Sequence, residues 1–142
     1  MNKEVMIGIV QALDAGFGLP VHIDSVNQKL APPCFLIDRV QGELQKKLGN
    51  RYKSGNYFDI KYFTETEKPA MEYLEVEEKL YNTLEYIEIE GSPTPTKGTD
   101  MKSSVIDGVL HFFVNYNFHV FKQNAPEEPM QDITIKSKLG GE

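Results

Sequence analysis

The segment 107–122, DGVLHFFVNYNFHVFK, limits what this chain can fold into more than any other. Successive side chains of a strand point to opposite faces. Leu110, Phe112, Val114, Tyr116, Phe118 and Val120 therefore share one face, and His111, Phe113, Asn115, Asn117, His119 and Phe121 share the other. The first set reads as a core face and the second as a mostly polar face. Such a strand runs for about 14 residues, where about 5 or 6 is usual. Asp107-Gly108 in front of it is a strong two-residue hairpin signal, so the strand at 99–106 folds back antiparallel. A core needs only one face of this sheet, so the polar face needs its own explanation.

The remaining pattern supplies what covers the core face. Residues 3–17 read as a helix, with Val5, Ile9, Ala12, Leu13 and Gly16 on one side, Asn2 as cap, and Gly16 and Gly18 as stops. LPVHID (19–24) reads as a short strand and SVNQKLAPP as a loop. CFLIDRV (34–40) and YFDIKYF (57–63) read as strands; Phe58, Ile60 and Tyr62 oppose Asp59 and Lys61. Between them QGELQKKLGNRYKSGN (41–56), polar, basic and glycine-punctuated, reads as the arms and tip of a long hairpin. A second helix at 69–84 carries the stripe Tyr73, Val76, Leu80, Tyr81 and Leu84, with Glu72, Glu75, Glu78, Lys79 and Asn82 opposite. Glu77 falls inside the stripe for no reason visible in the sequence. EYIEIE (85–90) alternates as a strand and GSPTPTKG reads as a loop. The order α-β-β-β-α-β-β-β predicts an α+β fold, with a mostly antiparallel sheet and two helices on one face, above the even-numbered side chains of 110–120. Residues 1–124 read as a single domain. Residues 125–142 read as a polar tail, flexible or forming an edge strand at 132–136.

Chemistry is sparse. The net charge of −6 argues against a general nucleic-acid binder. The single cysteine, Cys34, permits neither an internal disulfide nor a cysteine metal cluster, and PPCFLIDRV suggests a buried thiol. No apolar run approaches the roughly 18 residues of a membrane span. The N-terminus is interrupted by acids and is not a signal peptide, which places the protein in a cytoplasm or in something assembled there. His111 and His119 share a face but lie about 26 Å apart at about 3.3 Å per residue, too far to share a metal. His22 stands alone. GIVQALDAGFG lacks phosphate-loop spacing, and Ser103-Ser104 lacks elbow glycines. No catalytic residue, metal or cofactor is expected.

Charge segregation is the clearest functional signal. Residues 39–53 hold five basic side chains and one acid, a net of +4; residues 64–90 hold nine acids and two lysines, a net of −7. These segments either adjoin in the fold, meet between copies, or are solvated faces. A head-to-tail contact between unlike patches makes a ring if the rotation closes. The candidate interface residues are Lys46, Lys47, Arg51 and Lys53 on the hairpin, Glu72, Glu75 and Glu78 on the second helix, and His111, Asn115, Asn117 and His119 on the polar strand face.

Three segments carry a family likeness. LGNRYKSGNYFDIKYF (48–63), VEEKLYNTLEYI (76–87) and KGTDMKSSVIDGVLHFFVNYNFHVF (97–121) resemble the small tail terminator proteins of long-tailed phages and prophages of Gram-positive bacteria. The resemblance runs from about Val5 to Met130; GSPTPTKG and the C-terminal tail match least. It implies an α+β virion protein without catalytic residues, metal or cofactor. It further implies a hexameric ring on the last ring of tail-tube protein, ending tube polymerisation and offering a surface to head-completion protein. Membrane and specific nucleic acid are not implied partners, although DNA passes through such a ring's lumen. Two readings of other classes stay open on the residues alone. One is a monomeric adaptor using the polar face for a protein partner. The other is a small hydrolase or isomerase using His111 or His119 as base.

Overall fold

A computed structural model describes residues 2–23, 30–123 and 134–136; of these, the side chains of Asn2, Gln41, Glu43, 118–123 and 134–136 are not described. The elements are α1 (Asn2–Phe17), β1 (Val21–His22), β2 (Cys34–Lys46), β3 (Arg51–Phe63), α2 (Ala70–Thr83), β4 (Tyr86–Ile87), β5 (Thr96–Ile106), β6 (Val109–Gln123) and β7 (Thr134–Lys136). They form the expected α+β fold. The strand order is β1-β2-β3-β6-β5-β4; only β1 with β2 is parallel, and β7 pairs with β6. Phe121 pairs with Arg51 of β3 and with Lys136 of β7, so β7 occupies the edge of β6 that β5 has left free.

The long central strand is the spine of the sheet. Its inner side chains Leu110, Phe112, Val114 and Tyr116 are buried with Phe35, Ile37, Phe58, Ile60 and Tyr62 of the neighbouring strands. Val5, Ile9 and Leu13 of α1 and Tyr73, Leu80 and Leu84 of the α2 region close this face, with Val76 and Tyr81 half-buried beside them. Phe118 and Val120, read as part of the same row, have side chains outside the described set. The turn at Asp107-Gly108 has φ of 52° and 79°, the doubly positive pattern of a type I′ hairpin.

Close backbone approach fixes where the second helix ends. Gly98 lies under its C-terminal end: a Cβ there would stand 2.9 Å from the Leu84 carbonyl oxygen and 2.8 Å from Val114 Cγ2. The Gly98 N–H donates to the Glu85 carbonyl at 2.7 Å, and the Tyr116 hydroxyl donates to the Leu84 carbonyl at 2.6 Å. Burial pushes the Tyr116 phenol up, so it remains a donor.

Several boundaries differ from those read in the sequence. The strands at 34–40 and 57–63 continue through the hairpin arms to Lys46 and from Arg51, as a ladder from Gln41↔Tyr57 to Lys46↔Tyr52. A bulge between Arg39 and Gln41 shifts the register, bringing Gly42, Leu44 and Lys46 opposite Asn56, Ser54 and Tyr52. The expected strand at 85–90 contracts to Tyr86–Ile87, because its partner presents only Lys97 and Thr96 and the preceding Pro93 and Pro95 have no N–H to donate. Ile87 and Ile89 still alternate inward, at 2% and 4% exposure. Strand β5 begins at Thr96, inside the segment read as loop. The strand read at 19–24 is limited to Val21–His22, and Asp24 lies outside the described residues.

Candidate functional site

Two ends of the sheet and its polar face carry the candidate residues. The basic end is the β2–β3 turn. The Lys47 N–H donates to the Arg51 carbonyl at 2.7 Å, and the Arg51 N–H donates to the Leu48 carbonyl at 3.2 Å. Gly49 takes φ 65° between them, a conformation that would strain other residues. Lys46, Lys47 and Arg51 are exposed, and Lys53 is half-buried. Leu48 at the apex is 90% exposed.

The acidic end is built around Glu72, in the first turn of α2. Pro69 at its N-cap makes no side-chain cap bond. Glu72 instead accepts bonds from the hydroxyls of Thr66 (2.6 Å), Tyr62 (2.6 Å) and Thr64 (2.7 Å). Those bonds, Thr66 first, hold its carboxyl below the ordinary range. Burial, followed by the Glu72 carboxylate, pushes the Tyr62 phenol up. Glu72 thus ties the 64–66 segment to the helix, whereas Glu75 and Glu78 are exposed. Because Glu72 bonds Tyr62, this end is eleven strand residues from Arg51, about 36 Å at about 3.3 Å per residue. Glu72 and Arg51 therefore lie at opposite ends of β3.

Several described side chains of the polar face bond to one another. His111 Nδ1 lies 3.0 Å from Asp59 Oδ2, and Lys61 Nζ lies 3.6 Å from the same oxygen while donating to Asp38. Burial alone would pull the Lys61 ammonium down; the bond to Asp38 and the charges of Asp59 and Asp38 outweigh it, and the net direction is up. The His111 ring stacks on Phe113 at 6.0 Å, with the Lys102 ammonium 6.0 Å from the Phe113 centroid. Asn115 Nδ2 donates to Asn117 Oδ1 at 3.0 Å and to Thr99 Oγ1 at 3.2 Å. His119, the last candidate, is opposite Lys53 in register, and its side chain is outside the described set. Cross-strand bonds thus join His111 to Asp59, Lys61 to Asp38 and Asn115 to Thr99, and Asn115 bonds Asn117 along its own strand.

Some of these residues escaped the sequence reading. Asp59 and Lys61 were legible as outward residues, but Asp38 required the register of β2 on β3. Glu77, inside the apolar stripe of α2, accepts a bond from the Ser103 hydroxyl on β5, which in turn accepts from the Tyr81 hydroxyl at 3.3 Å. Its partner lies 26 residues away, beyond helical periodicity. Among the described residues, no group of three or more His, Cys, Asp or Glu could hold a metal ion. No described helix is long and apolar enough to cross a membrane. Burial pushes the Cys34 thiol up.

Helices on one face, bonded polar side chains on the other and opposite charges at the two ends define a class. It is an α+β sheet protein whose distinctive chemistry lies on extended surfaces. The chain belongs to the phage tail terminator protein family, whose model matches residues 4–128. It is a structural phage protein with a role in tail completion, located in the virion tail and interacting with other tail or head proteins. A search of curated proteins found no match.

Proposed function

We propose that this protein caps the phage tail tube, without enzymatic activity. Copies assemble as a hexameric ring on the last ring of tube protein, end its polymerisation, and present the surface to which head-completion protein docks. Assembly takes place in the host bacterial cytoplasm, and DNA passes through the lumen without sequence-specific contact. The observation that carries this reading is the family match across residues 4–128. The separation of basic and acidic ends supports it. Unlike patches about 36 Å apart along the length of β3 would suit head-to-tail contacts between copies, the kind that generates rings. Exposed ion pairs contribute about 0 to 1 kcal/mol each, so Lys46, Lys47, Arg51 and Lys53 orient association more than they hold it.

The test is a mixture of purified protein with polymerising tail-tube protein, viewed by electron microscopy. Added protein should shorten the tubes and occupy one end of each. Tubes that elongate unchanged, with both ends bare, would overturn the reading.

A further inference from the structure

At the end of the sheet opposite the basic turn lies a groove of about 500 Å³. Phe63, Tyr73, Val105 and Val109 line it, with Thr64 and Thr66 at one wall. Its lining is mostly apolar, and Val105 within it is 54% exposed; next to lining residues in the chain, Ile106 is 43% exposed, Met71 70% and Leu74 58%. An apolar groove with exposed apolar side chains among and next to its lining marks a contact site more often than a bare surface. The surrounding charge is acidic. Glu67 lines the groove, Glu65 lies between its two threonines, Asp107 adjoins Gly108, and Glu72 bonds Thr64 and Thr66; Lys68 is the cation of the same segment.

The other end of the molecule carries the complement. Leu48 is the most exposed of the large hydrophobic side chains described, at 90%, and sits at the apex of a tight turn. Lys46 and Lys47 precede it and Arg51 and Lys53 follow it. An apolar knob inside a basic collar matches an apolar groove inside an acidic rim in both shape of chemistry and sign of charge. The two lie at opposite ends of the same strand, so one copy cannot satisfy both.

We infer that the Leu48 turn of one copy seats in the groove between α2 and the β5–β6 hairpin of the next. This rests on the self-assembly reading above and specifies its contact. Each copy gives one tip and receives one, so the contact is heterologous and repeats without a two-fold axis. The charges steer the tip toward the groove, and burial of Leu48 holds it there. The Glu72 bonds to Tyr62, Thr64 and Thr66 pre-form the receiving wall.

Cysteine cross-linking tests the contact directly, since Cys34 is fully buried and leaves the background quiet. Leu48→Cys and Val105→Cys are both at exposed positions and should fold normally. With a short bifunctional maleimide, the double variant should give a ladder of covalent oligomers, while each single variant gives at most dimers. Independently, Leu48→Asp should weaken assembly about tenfold or more, measured by light scattering, with an unchanged melting curve. If the double variant assembles, as read by mass, but gives no ladder, the groove is not the seat and this inference fails while the self-assembly reading stands. Linkage to tube protein instead of a second copy overturns it as well. If neither wild type nor variant assembles, alone or on tubes, both readings fail.

Discussion

The sheet has two halves that differ along a single strand face. From Phe58 to Tyr62 the inward side chains of β3 are aromatic or aliphatic and lie under the helices, at 0 to 5% exposure. From Tyr52 to Asn56 the same face carries Tyr52, Ser54 and Asn56, paired with Lys46, Leu44 and Gly42. Ser54 and Asn56 are buried, and Asn56 Oδ1 finds no hydrogen-bond partner among the described residues. Leu44 on this face is 47% exposed. The first half is held by apolar burial, the dominant favourable contribution to folding. The second carries a backbone ladder through β2, β3 and β6. The difference separates two tasks: one half makes the domain stable, and the other extends a charged turn away from it.

The comparison breaks if the halves respond alike to mutation. The largest effect is expected for Phe112→Ala, under Tyr81 in an edge-to-face contact at 4.9 Å. It should destabilise by about 3 to 5 kcal/mol in urea denaturation. Gly98→Ala comes next, at about 1 to 3 kcal/mol, because the added methyl meets the Leu84 carbonyl and Val114. Tyr116→Phe should cost about 1 kcal/mol by removing the bond to the Leu84 carbonyl. On the second half, Lys46→Glu with Lys47→Glu should change monomer stability by about 0.5 kcal/mol or less per site. The same pair should slow assembly or tube capping most at low salt. A loss of several kcal/mol from this pair would show that the hairpin belongs to the folding core.

A pH series sharpens the comparison at the acidic end. The folded-state carboxyl of Glu72 is lowered by its hydroxyl donors, so its contribution to stability is present above the ordinary carboxylate range. That contribution is lost as pH falls through the lowered value. The melting temperature of Glu72→Gln should therefore lie below wild type at neutral pH and converge with it in acid. A gap that persists undiminished below the carboxylate range would remove the ionised Glu72 from this role.

Alternation and helical spacing, both local properties, were enough to read α1, α2, the core row from Leu110 to Tyr116 and the Asp107-Gly108 turn in this sequence. A one-residue shift in such patterns moves every apolar side chain to the wrong face, so few alternatives survive. The segregation of charge into 39–53 and 64–90 was legible in the same way. Local pattern showed 41–56 as hairpin arms but not the register that sets Gly42 opposite Asn56 and Leu44 opposite Ser54, because that register depends on neighbours paired from distant sequence. Nor could it reveal the bulge at Arg39–Gln41, the partner of Glu77, or the bonding of His111 to Asp59. Tertiary structure alone decided that the basic turn and the acidic helix start lie at opposite ends of the sheet. Sequence records how much charge each segment carries, but direction in space follows from strand register, which is set only when β2, β3 and β6 pair along their length.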